Sequence, residues 1–163
     1  QRAARTCSLT GLRNHQAYTE ILDIEVRRAT RYKNKLSIIA FRIHGVGLLN
    51  ANWGHQAGDQ LLKTVADHLR GNIRDVDIAG RTGGTEFGVI LPEQTLEGAL
   101  VVVNRLADLY ADLRVKIGDD ECQVDATFGV VEFAAEGTGP ELLRAALERQ
   151  KQARERGERL RSE

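Results

Sequence analysis

Residues 78–91 read IAGRTGGTEFGVIL, and this stretch decides the architecture of the chain. Two apolar segments, residues 78–81 and 87–91, flank the pair Gly83-Gly84. Glycine reaches positive φ at low cost, and the tight turns that join hairpin strands need positive φ. The stretch therefore predicts a β-hairpin with the Gly-Gly pair at its tip.

Amphipathic helices are predicted on both sides of this hairpin, because apolar residues recur there every three or four positions. Pro140 suits the first turn of the last helix, and the charged tail from residue 154 is expected to fray. The four predicted helices span residues 14–32, 55–69, 96–113 and 140–156.

Strand candidates lie between these helices. The segment 36–43 is apolar, and a second hairpin is predicted from 115–117 and 124–133 around residues 118–120. Helices and hairpins in this order favour an α/β (α+β) fold, with a mixed, mostly antiparallel sheet of about five strands covered by helices. We expect one domain over residues 1–163, cut from a longer multidomain protein.

Composition excludes several classes of protein. Lys plus Arg equals Asp plus Glu, at 23 each, so charge gives no argument for a nucleic-acid or membrane partner. No apolar run approaches the roughly 20 residues of a membrane span. Cys7 and Cys122 are isolated and lack metal or disulfide spacing, which is typical of the reducing cytoplasm. We therefore expect a cytoplasmic protein.

Common enzyme signatures are missing from the chain. It has no phosphate-binding loop, no nucleophile elbow and no zinc-protease motif. His55 and Asp59 stand four residues apart on a predicted helix, but no second group of ligands accompanies them. We predict no metal site and no cofactor.

Four collinear stretches carry a family resemblance that covers about residues 7–157. They are residues 8–14 (SLTGLRN), 50–59 (NANWGHQAGD), 74–77 (RDVD) and 81–87 (RTGGTEF). Together they resemble the GGDEF family, the diguanylate cyclases that make cyclic di-GMP from two GTP molecules. The resemblance implies the α/β palm of nucleotidyl cyclases.

The chain departs from the family where the resemblance implies metal binding. A metal-binding Asp of the first strand is replaced by Arg42, and an acidic residue of the signature by Thr85; Glu86 remains. The family's phosphate-binding Lys and Arg align with Arg154 and Glu158. Mg²⁺ prefers carboxylate oxygens, so we expect a degenerate domain without catalytic residues that is not an enzyme.

Other family positions are retained. The resemblance implies guanine binding at Asn50 and Asp59, although both residue types also cap turns and helices. It further implies a cyclic di-GMP site at Arg74 and Asp77, with Arg74 nine residues before Gly83 of the signature, completed by Arg105. An Arg fork matches guanine O6 and N7, and a carboxylate accepts from guanine N–H groups.

We interpret the chain as a catalytically inactive cyclic di-GMP receptor that signals by ligand-dependent assembly or docking, as a homodimer or on an adjacent regulatory domain. Two alternatives stay open at this point. One is a protein-interaction or dimerisation scaffold with no nucleotide ligand, and the other is a regulatory domain that senses GTP.

Overall fold

The computed structural model describes residues 4–163, so the first three residues of the predicted domain lie outside the description. Its helices are α1 (His15–Tyr32), α2 (Val46–Trp53), α3 (His55–Arg70), α4 (Leu96–Asp112) and α5 (Gly139–Glu155). Its strands are β1 (Leu36–His44), β2 (Ile78–Arg81), β3 (Glu86–Pro92), β4 (Arg114–Ile117), β5 (Asp120–Gln123), β6 (Asp125–Glu132) and β7 (Leu160–Arg161).

The central sheet has five strands in the order β2-β3-β1-β6-β7. β1 pairs antiparallel with both β3 and β6, and β7 pairs parallel with β6. The predicted fold class, a mixed and mostly antiparallel sheet covered by helices, is therefore confirmed. β1 lies at the centre because it is apolar along nearly its whole length, as a strand buried on both faces requires.

Helices cover the two faces of this sheet and bury a separate core on each. Alternate side chains of β1 point to opposite faces, so Phe41 packs under α3 and α4 while Ile38 packs under α1 and α5. The α3/α4 face contains an aromatic cluster in which Phe41 contacts the rings of Phe87, Tyr110 and Phe128.

Polar caps fix where the helices begin. Asn14 Oδ1 accepts from the Ala17 N–H at the start of α1, and Thr95 Oγ1 accepts from the Gly98 N–H at the start of α4. The Thr138 hydroxyl does the same for α5, where Pro140 occupies the first turn as predicted. These caps place the loops between helices and strands, where the candidate sites lie.

Two local predictions differ from the structure, and one helix has no counterpart among the predictions. The second hairpin closes through β5 rather than through residues 124–133, because β4 and β5 form a separate two-stranded sheet and β6 joins the main sheet. The tail does not fray, since Leu160 pairs with Phe128. Helix α2 was not predicted, because only Val46 of its eight residues is buried and it shows no apolar stripe.

Among residues 4–163, the structure contains no helix that is both long and apolar enough to cross a membrane.

Candidate functional site

The signature turn joins β2 to β3 and places Glu86 beside Arg42. These two residues face each other across the β1–β3 ladder, and Arg42 Nη2 donates to Glu86 Oε1. Glu86 also packs against Gly83, where an added Cβ would lie 3.1 Å from Glu86 Oε2. The carboxylate that the signature retains is thus held by an arginine on the neighbouring strand.

A cavity of about 570 Å³ opens beside this ion pair, between the end of β1 and helix α5. Arg42, His44 and Glu86 line one side of the cavity, and Lys151 and Arg154 line the other. Positively and negatively charged side chains therefore line the same cavity. Within residues 4–163 no three His, Cys, Asp or Glu side chains come together as a metal-binding group.

His44 is the ionisable residue of this cavity with a perturbed pKa. Its Nε2 lies 2.8 Å from Thr127 Oγ1, which also accepts from the buried Gln150 side chain at 2.5 Å. Desolvation and the neighbouring cations Arg154 and Arg42 lower the pKa of His44, while Asp125 opposes them. The neutral imidazole is therefore favoured.

The two predicted phosphate-binding positions separate in the structure. Arg154 lies on the cavity, where its Nη1 is 3.1 Å from Asp125 Oδ2. Glu158 instead pairs with Arg161 at 3.3 Å. Only the first of these positions presents a cation to the cavity.

The two predicted guanine-binding residues lie on neighbouring helices that pack together, Asn50 on α2 and Asp59 on α3. Asn50 Oδ1 accepts from the Gly58 N–H at 2.8 Å, and Gly58 has no room for a side chain because an added Cβ would clash with Asn50. This bond uses the acceptor of the Asn50 amide and leaves its NH₂ group as a donor. Asp59 is exposed on the next residue of α3.

Arg74 and Asp77 form a local clamp in the loop between α3 and β2. Asp77 Oδ2 accepts from the Arg74 backbone N–H at 2.8 Å, and Asp77 Oδ1 accepts from Arg74 Nη2 at 2.8 Å. The Asp77 side chain is 1% exposed and the Arg74 side chain is 48% exposed. Asp77 therefore anchors the arginine, and Arg74 faces solvent.

Arg105 reaches the same loop from α4. Its Nη2 donates to the Asn72 carbonyl at 2.5 Å, two residues before Arg74. Arg74 also donates to the Pro92 carbonyl at 3.1 Å, at the end of β3. The structure thus gathers the three predicted cyclic di-GMP residues around one loop, although Arg105 lies 28 residues or more from the other two in sequence.

Sequence reasoning missed the groups that complete this surface. The carbonyls of Asn72 and Pro92 are backbone atoms, which no side-chain motif reports. Val76 and Val101 are 59% and 64% exposed, and Val101 lies one turn before Arg105 on α4. Val101 could have been found from the sequence, because it falls outside the apolar stripe of the predicted helix 96–113.

The chain matches one family model and is similar in sequence to several known proteins. The family model described as "Diguanylate cyclase, GGDEF domain" matches residues 4–159. The chain is 36% identical over 142 residues to the response regulator PleD of Caulobacter vibrioides, covering 86% of this chain and 31% of that protein. It is 34% identical over 156 residues to the diguanylate cyclase DgcP of Pseudomonas aeruginosa, covering 96% and 23%.

A solved structure agrees with the fold. The GGDEF domain of DgcB from Caulobacter crescentus, determined in complex with c-di-GMP, superimposes with a TM-score of 0.94 at 22% identity. The match covers 99% of this chain and 94% of that one. The chain spans less than a third of the length of the two curated relatives.

One prediction is corrected by these comparisons. Replacement of metal-binding positions by Arg42 and Thr85 led to the expectation that the chain is not an enzyme. That expectation is wrong, because the matching family and relatives such as DgcP are named diguanylate cyclases and point to an enzyme family. The residues at two positions did not outweigh the likeness over nearly the whole chain.

Proposed function

We propose, since this chain belongs to the GGDEF family of diguanylate cyclase domains, that it is a cyclic di-GMP receptor domain that binds through Arg74, Asp77 and Arg105. One observation carries the proposal. Arg105 is bonded to the loop that holds Arg74, so two exposed guanidinium groups flank one surface. Their charge and shape match a ligand made of guanines and phosphates.

The two arginines supply the contacts to the ligand. A guanidinium donates in parallel to guanine O6 and N7 or to two phosphate oxygens, and both kinds of acceptor occur in cyclic di-GMP. Asp77 and the Pro92 carbonyl fix the direction of Arg74 and occupy its Nε and Nη2 groups. Nη1 therefore remains as the donor for the ligand, and a parallel two-point contact requires the arginine to turn away from Asp77.

The main role of Asp77 in the proposed site is to hold Arg74 in position. Both of its carboxylate oxygens accept from Arg74 and its side chain is buried, so a guanine N–H reaches it only if the arginine turns toward the ligand. The exposed valines Val76 and Val101 offer apolar surface beside the arginines, on which a purine ring can rest.

The proposed surface is separate from the signature turn. Arg74 is bonded at Pro92, the last residue of β3, whereas Glu86 is the first. Six residues of extended strand span about 20 Å. Binding of cyclic di-GMP at Arg74 therefore does not depend on the chemistry of the cavity beside Glu86.

The comparisons support this ligand class without assigning the site. The DgcB domain named above was solved with c-di-GMP bound. We infer that ligand bound at the Arg74 surface of this chain signals by bringing a second copy or an adjacent regulatory domain against it. An exposed surface on one loop and one helix is open to such a partner.

A second candidate function is GTP sensing at Asn50 and Asp59. The observation that favours it is the bond from the Gly58 N–H to Asn50 Oδ1, which places the Asn50 amide against the residue that precedes Asp59 on α3. The free NH₂ of Asn50 can donate to guanine O6 while a carboxylate accepts from guanine N1–H and N2–H.

Ligand-induced stabilisation separates these candidates. The thermal midpoint of the chain is measured with cyclic di-GMP, with GTP and with cyclic di-AMP, each at several concentrations, since a ligand that binds only the folded state raises it. We expect cyclic di-GMP to raise the midpoint of the wild type and to have a much smaller effect on Arg105→Ala. A rise with GTP alone that Asp59→Ala removes would replace the proposal by the second candidate. No rise with any nucleotide would favour an interaction scaffold.

A further inference from the structure

A long groove runs between α1 and α5 on the face of the sheet opposite to α3 and α4. It consists of two adjoining cavities of about 500 and 650 Å³ that share Asp23, Gly139 and Pro140. Its apolar lining comes from Leu22 and Val26 on α1 and from Pro140, Leu143 and Leu147 on α5. The groove is separate from the Arg74 surface, and it adjoins the cavity beside Glu86 because Arg144 and Leu147 line both.

The groove has the dimensions of a helix. On α1 its lining residues recur every three or four positions from His15 to Arg31, so the groove follows one face of that helix. Sixteen residue steps at 1.5 Å correspond to about 24 Å. Two helices packed side by side leave a trough in which the ridge of a third helix fits.

Three arginines line this groove: Arg27 and Arg31 on α1, and Arg144 on α5. In the part of the chain that the structure describes, none of the three has a carboxylate within 4 Å, whereas eight other arginines do. Asp23 is the one acid among the lining residues of the described chain. Its carboxylate is packed against Gly139, where an added Cβ would lie 2.3 Å from Asp23 Oδ1.

We propose that this groove binds an acidic amphipathic helix of a partner protein. The apolar face of that helix lies on the exposed Pro140 and the half-buried Leu147. Its Asp or Glu residues pair with Arg27, Arg31 and Arg144. Arg27 and Arg31 are one turn apart, so they select acidic residues that are also one turn apart on the partner. The charges set the choice of partner and the rate of association, and the apolar contacts add to the affinity.

Designed peptides test the proposal with the full chain. The probe is a 16-residue helical peptide with Leu every three or four residues and Glu on both flanks of the Leu stripe, labelled for fluorescence anisotropy. The matched control peptide carries Lys in place of each Glu. We expect the Glu peptide to bind at least tenfold more tightly than the Lys peptide, and we expect high salt to reduce the difference.

Variants of the chain locate the binding. The double variant Arg27→Glu/Arg31→Glu should weaken binding of the Glu peptide at least tenfold and should improve binding of the Lys peptide. Lys63→Glu reverses an exposed cation on α3, across the sheet, that has no carboxylate within 4 Å among residues 4–163, and it should change neither. A second variant, Leu147→Asp, should weaken both peptides, because it places a charge in the apolar lining. Circular dichroism confirms that each variant is folded.

Several results would overturn the proposal. It fails if neither peptide binds below about 1 mM, if both bind alike, or if Arg27→Glu/Arg31→Glu leaves binding of the Glu peptide unchanged. Concentration-dependent self-association that this double variant abolishes would assign the groove to a second copy of the chain. Binding to vesicles of anionic phospholipid that the same variant abolishes would assign it to a membrane surface.

Discussion

Arg74 Nη2 lies 2.8 Å from Asp77 Oδ1, and this pair joins an exposed guanidinium to a carboxylate that is almost completely buried. The same carboxylate accepts from the Arg74 backbone N–H, so one side chain fixes both the turn of the loop and the direction of the arginine. The motif that predicts a ligand site is therefore also a structural clamp.

The clamp predicts a difference in stability between two neighbouring acids. Asp77→Ala removes the acceptor for the Arg74 backbone and side chain and should lower the free energy of unfolding by about 1–3 kcal/mol. Asp75→Ala, in the same loop but exposed, should change it by less than about 0.5 kcal/mol. Urea denaturation measures both. Equal losses in the two variants would show that the clamp does not stabilise the loop.

Two buried tyrosines differ in whether their hydroxyl has a partner. Tyr110 donates to the Val65 carbonyl at 2.8 Å, whereas the Tyr18 hydroxyl has no hydrogen-bond partner among the described residues. Tyr110→Phe should lower the free energy of unfolding by about 1 kcal/mol, and Tyr18→Phe should leave it unchanged or raise it by up to about 1 kcal/mol. Denaturant midpoints of the two variants measure this, and a larger loss for Tyr18→Phe would contradict the burial of an unpaired hydroxyl.

His44 predicts a pH dependence of stability. Desolvation, Arg154 and Arg42 lower its pKa in the folded chain, with Asp125 acting in the opposite direction. The unfolded chain therefore binds a proton more readily, so the contribution of His44 is fully present above pH 6.5 and is lost as the pH falls toward the folded pKa. Unfolding free energies measured at pH 7.5 and 5.5 should fall more in the wild type than in His44→Gln. His55→Gln, at an exposed position, is the control and should fall like the wild type.

Cys7 should react with thiol reagents at lower pH than an ordinary cysteine. Burial raises the pKa of Cys7, but hydrogen bonds from Thr10 and Arg81 more than offset that, and the pKa is about 7. In a Cys122→Ser background, the rate of alkylation by iodoacetamide should therefore reach half its maximum near pH 7. Arg81→Gln removes the donor that lies 3.3 Å from Cys7 Sγ and should move this midpoint upward. A midpoint near 8.5, the ordinary value, would refute the role of Arg81.

The sequence predicted those secondary-structure elements that are determined by a local pattern of residues. An apolar stripe every three or four residues gave α1, α3, α4 and α5 within a residue or two of their observed ends. The glycines at residues 83 and 84 marked the tip of the signature hairpin correctly, but the reason was wrong, because neither glycine has a positive φ. These patterns are sufficient because each element buries its own apolar face on the sheet.

Elements without such a pattern could not be predicted. Helix α2 buries only Val46, and its capping positions are Gly45 and Gly54, both at positive φ. The two residues of β7 are held by pairing with β6, more than 30 residues earlier in the chain. Such contacts depend on the completed fold, and no local pattern reports them.

The candidate site likewise contains features that the sequence predicted and features that it did not. The spacing of Arg74, Asp77 and the signature could be read in the sequence, and so could the presence of Arg105. The burial of Asp77 and the bonds from the arginines to the Asn72 and Pro92 carbonyls could not, because they depend on how α4 and β3 approach the loop. These contacts change Asp77 from a free acceptor into the anchor of Arg74.

Calorimetric titration of cyclic di-GMP into the chain tests the central claim most directly, with Arg74→Ala and Arg105→Ala as site variants. Arg144→Ala is the matched control, since it removes an exposed arginine on the opposite face of the sheet. We predict a dissociation constant of about 1 µM or tighter for the wild type and the control, weakened at least tenfold in each site variant; losing one charged hydrogen-bond donor at about 1.5–3 kcal/mol corresponds to such a change. Absence of heat in the wild type, or equal affinity in all four proteins, would contradict binding at this surface.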